Sequence, residues 1–142
     1  MEVVAPLVDV ESVAKSVIAS VRKSAGESAV ILLYGELAAG KTTLVSKIVE
    51  LLGGGVATSP TFSLQQCYGA KLFHYDFYRV DFEEILSLGL IDEFEKSGWH
   101  FVEWADKELK VLLLDAGFTL FELNIEASGT KERKYRLKAI DA

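Results

Sequence analysis

The chain has 142 residues, enough for one domain with a real core and too few for two. Half its residues are hydrophobic, a quarter are charged, and the net charge is −6, so a surface that tracks a nucleic-acid backbone, DNA included, is not expected. The longest uninterrupted apolar run spans six residues, against the roughly 20 a membrane helix needs, so no membrane association is expected either.

Met1-Glu2-Val3-Val4 is acidic where a signal peptide would be basic, and the single cysteine, Cys67, suits a reducing compartment. A cytoplasmic protein is the expectation. In chain order, Asp9 is placed to cap a helix with apolar positions Val10, Val13, Ala14, Val17, Ile18 and Val21, the spacing of a face packed on a sheet. Gly26 ends that helix. Ala29-Val30-Ile31-Leu32-Leu33-Tyr34 is a continuous apolar run of the kind a strand buried on both faces requires.

Gly35-Glu36-Leu37-Ala38-Ala39-Gly40-Lys41-Thr42-Thr43 follows directly and reads G-x-x-x-x-G-K-T, the phosphate-binding loop. Glycines at its two ends let successive backbone N–H groups point inward at a phosphate. Lys41 supplies a compact positive charge for β- and γ-phosphates, and the Thr42 hydroxyl can ligate Mg²⁺. A helix starting at Gly40 adds the partial positive charge of its N-terminus. Leu44, Val45, Ile48, Val49, Leu51 and Leu52 continue at helical spacing, and Gly53 stands in the position of a C-terminal cap. Strand, glycine loop and helix together point to a nucleotide-binding protein.

Gly53-Gly54-Gly55 leads into Thr58-Ser59-Pro60-Thr61-Phe62-Ser63-Leu64, where Pro60 forces Ser59 into an extended conformation. Thr61 is placed either to sense a γ-phosphate or simply to begin a strand from Phe62 to Cys67. Leu72-Phe73-His74-Tyr75-Asp76 reads as the next strand. Its terminal carboxylate could help Thr42 hold Mg²⁺ or serve as a turn or capping residue. His74 reads as a packed strand residue. Asp81 to Gly89 reads as a short capped helix and Leu90 to Glu95 as a further helical turn. His100-Phe101-Val102-Glu103-Trp104 is a strand with a carboxylate and an indole at its carboxyl end, the end where open α/β sheets bind ligands. Glu103 is then the second candidate carboxylate, or else an ordinary exposed strand end. Thr119 to Ala127 and Tyr135 to Ile140 form an antiparallel hairpin about Ser128-Gly129-Thr130. Lys131, Arg133, Lys134, Arg136 and Lys138 read as the solvated face and edge protection of the last strand.

Four motifs in this order resemble the TsaE (YjeE) family of small bacterial ATPases: Gly35-Glu36-Leu37 with Gly40-Lys41-Thr42-Thr43, Ser59-Pro60-Thr61-Phe62, His74-Tyr75-Asp76-Phe77-Tyr78-Arg79, and Val102-Glu103-Trp104. The resemblance implies a single P-loop NTPase domain of the α/β class, with a mainly parallel central sheet, antiparallel additions and helices on both faces. It implies an Mg–ATP site that includes Glu36 to Thr43, a switch-like Thr61, Asp76, Glu103 and Trp104. Glu103 is assigned to the metal, and Asp76 to its water shell or to the attacking water. It further implies ATP hydrolysis, weak alone, that serves a TsaB–TsaD pair transferring threonylcarbamoyl to tRNA adenosine, with tRNA reached only through that complex. Ala38 departs from the family pattern, which has glycine there, and this bears on turnover more than on binding. The rival readings are a small-molecule kinase, which would require more arginines near the site than Arg79 alone, and a non-hydrolysing nucleotide-responsive module.

Overall fold

A strand that the sequence pattern did not reveal begins the chain. In the computed structural model, which describes residues 1–36, 39–55, 64–129 and 131–140, β1 runs over Glu2–Pro6. A 3-10 turn, Leu7–Asp9, leads from it into α1, Val10–Ala25. Asp9 occupies the N-cap position but makes no side-chain cap bond, because entry through the 3-10 turn holds it at φ −93°, ψ 25°. A capping side chain needs the extended backbone that this turn denies it. Instead the Ser12 hydroxyl donates to the Asp9 carbonyl at 3.2 Å. The anticipated apolar face is present: Val13, Ala14, Val17 and Val21 are fully buried and Gly26 follows the last turn.

β2 is Ala29–Tyr34 and α2 is Lys41–Leu51, with Gly53 one residue past the helix cap. β3, Gln65–Tyr68, begins later than expected, and Leu64 before it lies in a turn. β4 is Leu72–Asp76 and α3 is Phe82–Ser87, whose cap Asp81 accepts a hydrogen bond from the Glu84 N–H at 2.9 Å. After the 3-10 turn Leu90–Glu95 comes β5, Trp99–Glu103. α4, Lys107–Asp115, was not anticipated either. It carries its own start signal, since Asp106 accepts from the Leu109 N–H at 2.8 Å, and it buries Leu109 and Leu113 one turn apart. β6, Leu120–Ser128, and β7, Glu132–Ile140, close the chain as the expected antiparallel hairpin.

Among the described residues, seven strands form one sheet in the order β1-β7-β6-β2-β5-β4-β3. Its centre is parallel: β2 pairs with both β5 and β6, and β4 pairs with β5. The antiparallel pairs lie outside, β3 on β4 at one edge and β7 and β1 at the other. Ala29, Ile31 and Leu33 of β2 face α1 and α2, while Val30 and Leu32 face the side covered by α3, the following 3-10 turn and α4. Helices on both faces explain why this strand is apolar without alternation.

β7 is therefore not an edge. β1 pairs along it from Glu2↔Arg136 to Pro6↔Glu132, and the Glu2 carboxylate meets Lys134 at 3.3 Å and Arg136 at 3.1 Å. The basic run of the last strand is partly neutralised by the strand that covers it.

Candidate active site

The register aligns the carboxyl ends of the parallel strands: Leu33 opposite Glu103, and Glu103 opposite Asp76. The loop from β2 to α2 starts at that end. Gly35 is required there by space, since a Cβ on it would stand 2.8 Å from the Ile125 carbonyl oxygen of β6. Gly40 caps α2 at φ 106°, a left-handed conformation that side chains resist. Between them the Ala39 N–H donates to the Glu36 carbonyl at 3.0 Å. Leu37, Ala38 and Thr61, along with the Ser59-Pro60 segment, lie outside the described residues.

Lys41 is the first residue of α2 and only 5 % exposed. Its ammonium donates to the Gly35 carbonyl at 2.5 Å and the Glu36 carbonyl at 3.1 Å, and sits 4.0 Å from the centroid of the Trp104 ring. Burial lowers its pKa, opposed by the charges of Glu103, Asp76 and Glu36. Thr42, next in the helix, donates its hydroxyl to Glu103, with Oε1 at 3.0 Å and Oε2 at 2.9 Å. Thr43 is exposed beside it in the first turn.

Glu103 is 3 % exposed, which rules out an ordinary exposed strand end. His74 Nε2 lies 2.5 Å from Glu103 Oε2. Burial pushes the Glu103 carboxyl up, but the His74 hydrogen bond and charge, the Thr42 hydroxyl and the Lys41 charge outweigh it, so its pKa lies below the ordinary value. His74 is indeed a packed strand residue, yet what it packs against is the site carboxylate. The signal was its position two residues before Asp76 on one strand, which puts both on the same face.

Asp76 is exposed, and its Oδ1 accepts from the Tyr78 N–H at 3.0 Å. The turn role and a place in the site coexist: with Thr42, Leu64, Gln66, His74 and Tyr78 it lines an open cavity of about 480 Å³. A second cavity of about 440 Å³ lies beside Gly35, Glu36 and Ala39, and its lining includes Asn124 and Arg133. Arg133 thus lies near the loop, a placement that its distance in sequence concealed. Among the described residues, two that are not glycine have left-handed backbones, Arg79 at φ 59° and Trp104 at φ 62°. They flank a stack in which Tyr78 lies 4.9 Å from Trp104 and the Arg79 guanidinium 5.1 Å from Tyr78. Strain of this kind gathers at functional sites.

A hydroxyl, a carboxylate and a lysine around a helix N-terminus form a hard-oxygen donor set with a cationic partner, which suits a magnesium–phosphate ligand. Among the described residues no group of three or more His, Cys, Asp or Glu could by itself hold a metal. Any cation here would draw its remaining ligands from phosphate and water. Among the described residues no helix is long and apolar enough to cross a membrane.

Known proteins resemble this chain in sequence and in fold. The family model for threonylcarbamoyl adenosine biosynthesis protein TsaE matches residues 8–135. The tRNA threonylcarbamoyladenosine biosynthesis protein TsaE of Haemophilus influenzae is 36% identical over 87 residues, covering 58% of this chain and 55% of that protein. The protein of the same name from Rickettsia conorii is 36% identical over 110 residues, covering 73% and 60%. That of Bacillus subtilis is 33% identical over 114 residues, covering 72% of each. The chain thus spans between about half and three-quarters of the length of these relatives. Among solved structures, the crystal structure of Bacillus subtilis YdiB superposes with a TM-score of 0.68 at 26% identity, over 99% of this chain and 85% of that one. The family match across most of the chain, the shared fold and the loop, threonine and carboxylate geometry lead to one conclusion: this chain belongs to the TsaE family.

Proposed function

We propose that the chain is a P-loop ATPase that binds and hydrolyses Mg–ATP in support of threonylcarbamoyl transfer to adenosine in tRNA, acting with a TsaB–TsaD pair. The observation that carries the ATPase reading is the placement of Lys41 and Thr42 at the first turn of α2, with the Thr42 hydroxyl on Glu103. That is the constellation phosphoryl transfer uses, since its catalysis is mostly positioning and charge. Lys41 exchanges its loop carbonyls for β- and γ-phosphate oxygens, and the backbone N–H groups at Gly40 and the start of α2 face the same phosphates. Thr42 and Glu103 would hold Mg²⁺, which supplies positive charge to the phosphate oxygens when bound. Asp76, exposed in the same cavity, orients the attacking water or the water shell of the ion. The water oxygen bonds to the γ-phosphorus as the bond to the bridging oxygen breaks, and ADP leaves.

The partner role rests on family membership and on the acidic composition, which leaves tRNA binding to other chains. A cytoplasmic location follows from the same role and from the lone cysteine. The kinase alternative has gained one arginine, Arg133, but neither it nor Arg79 makes a described contact to Lys41, Thr42 or Glu103. Calorimetry of ATP binding with and without Mg²⁺, followed by single-turnover hydrolysis with and without the TsaB–TsaD pair, tests the proposal. Mg²⁺-dependent binding and partner-stimulated release of phosphate are expected. Phosphate transferred to a small-molecule acceptor would favour the kinase, and binding without turnover under any condition would favour the non-hydrolysing module.

A further inference from the structure

His74 and Asp76 share one face of β4, and across the parallel pair their register partners are Phe101 and Glu103. From that position His74 reaches diagonally to the Glu103 carboxylate rather than straight across. Both side chains are buried, 8 % and 3 % exposed, so the carboxylate has little water to orient or compensate it. Thr42 has one hydroxyl proton, shared between two oxygens at 2.9 and 3.0 Å, and cannot satisfy both fully. The closest donor to either oxygen is His74 Nε2, on Oε2 at 2.5 Å. An ionised carboxylate only accepts, so the Nε2 atom carries the proton in this contact. Lys41 directs its ammonium to Gly35 and Glu36 instead.

We propose that His74 is a positioning residue that locks Glu103 in the rotamer it presents to Thr42 before any ligand arrives. Oε2 takes the His74 bond while the Thr42 hydroxyl spans both oxygens, so among the described contacts Oε1 meets Thr42 alone and is the oxygen left for whatever Thr42 binds. The inference rests on the reading of Glu103 as the carboxylate that works with Thr42. A partner that fixes a ligating side chain commonly changes metal affinity by about 10–100-fold when removed. A histidine that merely filled space on β4 would have no such selective effect.

Two variants separate these cases. His74→Phe keeps a ring and removes the donor, whereas His74→Gln returns an N–H at similar reach. Crystal structures of the nucleotide-free proteins read the Glu103 side chain directly, and calorimetry reads ATP affinity in Mg²⁺ and in EDTA. In His74→Phe, Glu103 should leave Thr42 or spread over several rotamers. Its ATP affinity in EDTA should stay within about twofold of wild type, while the Mg²⁺ concentration for half-maximal enhancement rises by about 10–100-fold. His74→Gln should recover most of that shift. Glu103 unmoved with unchanged Mg²⁺ dependence would overturn the proposal. So would equal loss with and without Mg²⁺, or a glutamine variant no better than phenylalanine. Wild type lacking any Mg²⁺ dependence would sink the reading of the site, yet the Glu103 rotamer in His74→Phe would still decide whether His74 holds it.

Discussion

Lys41 is a buried cation whose partners are backbone carbonyls and an indole face rather than a carboxylate. Such partners hold the ammonium without neutralising it, so it remains available to a phosphate that offers full negative charge. Lys41→Ala should therefore weaken Mg–ATP binding or turnover by roughly ten- to a hundred-fold, the loss of one charge-assisted contact at about 1.5–3 kcal/mol. Equal affinity and equal turnover in the variant would remove the basis for the assignment. Asp76 and Glu103 differ in the test they face. Neither is needed for backbone groups to cradle phosphates, so Asp76→Asn and Glu103→Gln should leave nucleotide binding in EDTA largely intact and abolish hydrolysis by the partner-bound protein. Near-normal turnover in either would reduce that carboxylate to a strand-end residue. The positions of the loop and both carboxylates were legible because each stands at the end of a strand visible in the local sequence. The His74 contact was not, because it depends on which strand lies beside β4 and in what register.

Between β3, β4, β5 and the 3-10 turn at Leu90–Glu95 lies a largely buried polar chain in which the Gln65 amide donates outward on both sides. Lys96 and the Gln65 amide both donate to Glu93 Oε1, at 2.8 and 3.1 Å. The same amide meets the Tyr75 hydroxyl at 3.2 Å, which pairs with His100 Nδ1 at 2.7 Å, while His100 Nε2 faces the Lys96 carbonyl at 2.8 Å. Burial lowers the His100 pKa, against the opposing bond to the Lys96 carbonyl and the Glu93 charge. A histidine with a depressed folded pKa binds fewer protons folded than unfolded, so stability falls as pH drops below about 6.5, the unfolded value. Denaturation midpoints measured from pH 7.5 down to 5 should show that slope, and His100→Gln should flatten it. An identical slope in the variant would place the titration elsewhere. Elements such as β2, α1 and the terminal hairpin declared themselves because their periodicity lies within one segment. β1 did not, since its pairing partner β7 is at the far end of the chain and an edge strand has little apolar pattern of its own. The signal for α4 lies in Asp106, Leu109 and Leu113, and it is weak beside those of the two strands that flank it.

Taken as a whole, the molecule puts its parallel strand ends, its glycine loop and both carboxylates at one end of the sheet, and its basic C-terminal strand under an acidic cover. The Glu2 carboxylate, held below its ordinary pKa by Arg136 and Lys134, ties up two of the five basic side chains that could have served a nucleic acid. With the net charge at −6, the isolated chain lacks the clustered cations that phosphate backbones reward. Tight association with tRNA should therefore require other proteins. Filter binding of the purified chain to tRNA should be weak at about 0.15 M salt, and gel filtration with ATP should show co-elution with a TsaB–TsaD pair. Glu2→Gln supplies the control for the charge argument. It frees Lys134 and Arg136 and removes one negative charge, so residual tRNA binding should rise modestly and should fall again with added salt, as counterion release requires. Tight, salt-resistant tRNA binding by the unmodified chain would contradict the division of labour, and failure to co-elute with the pair under any nucleotide would contradict the partner assignment.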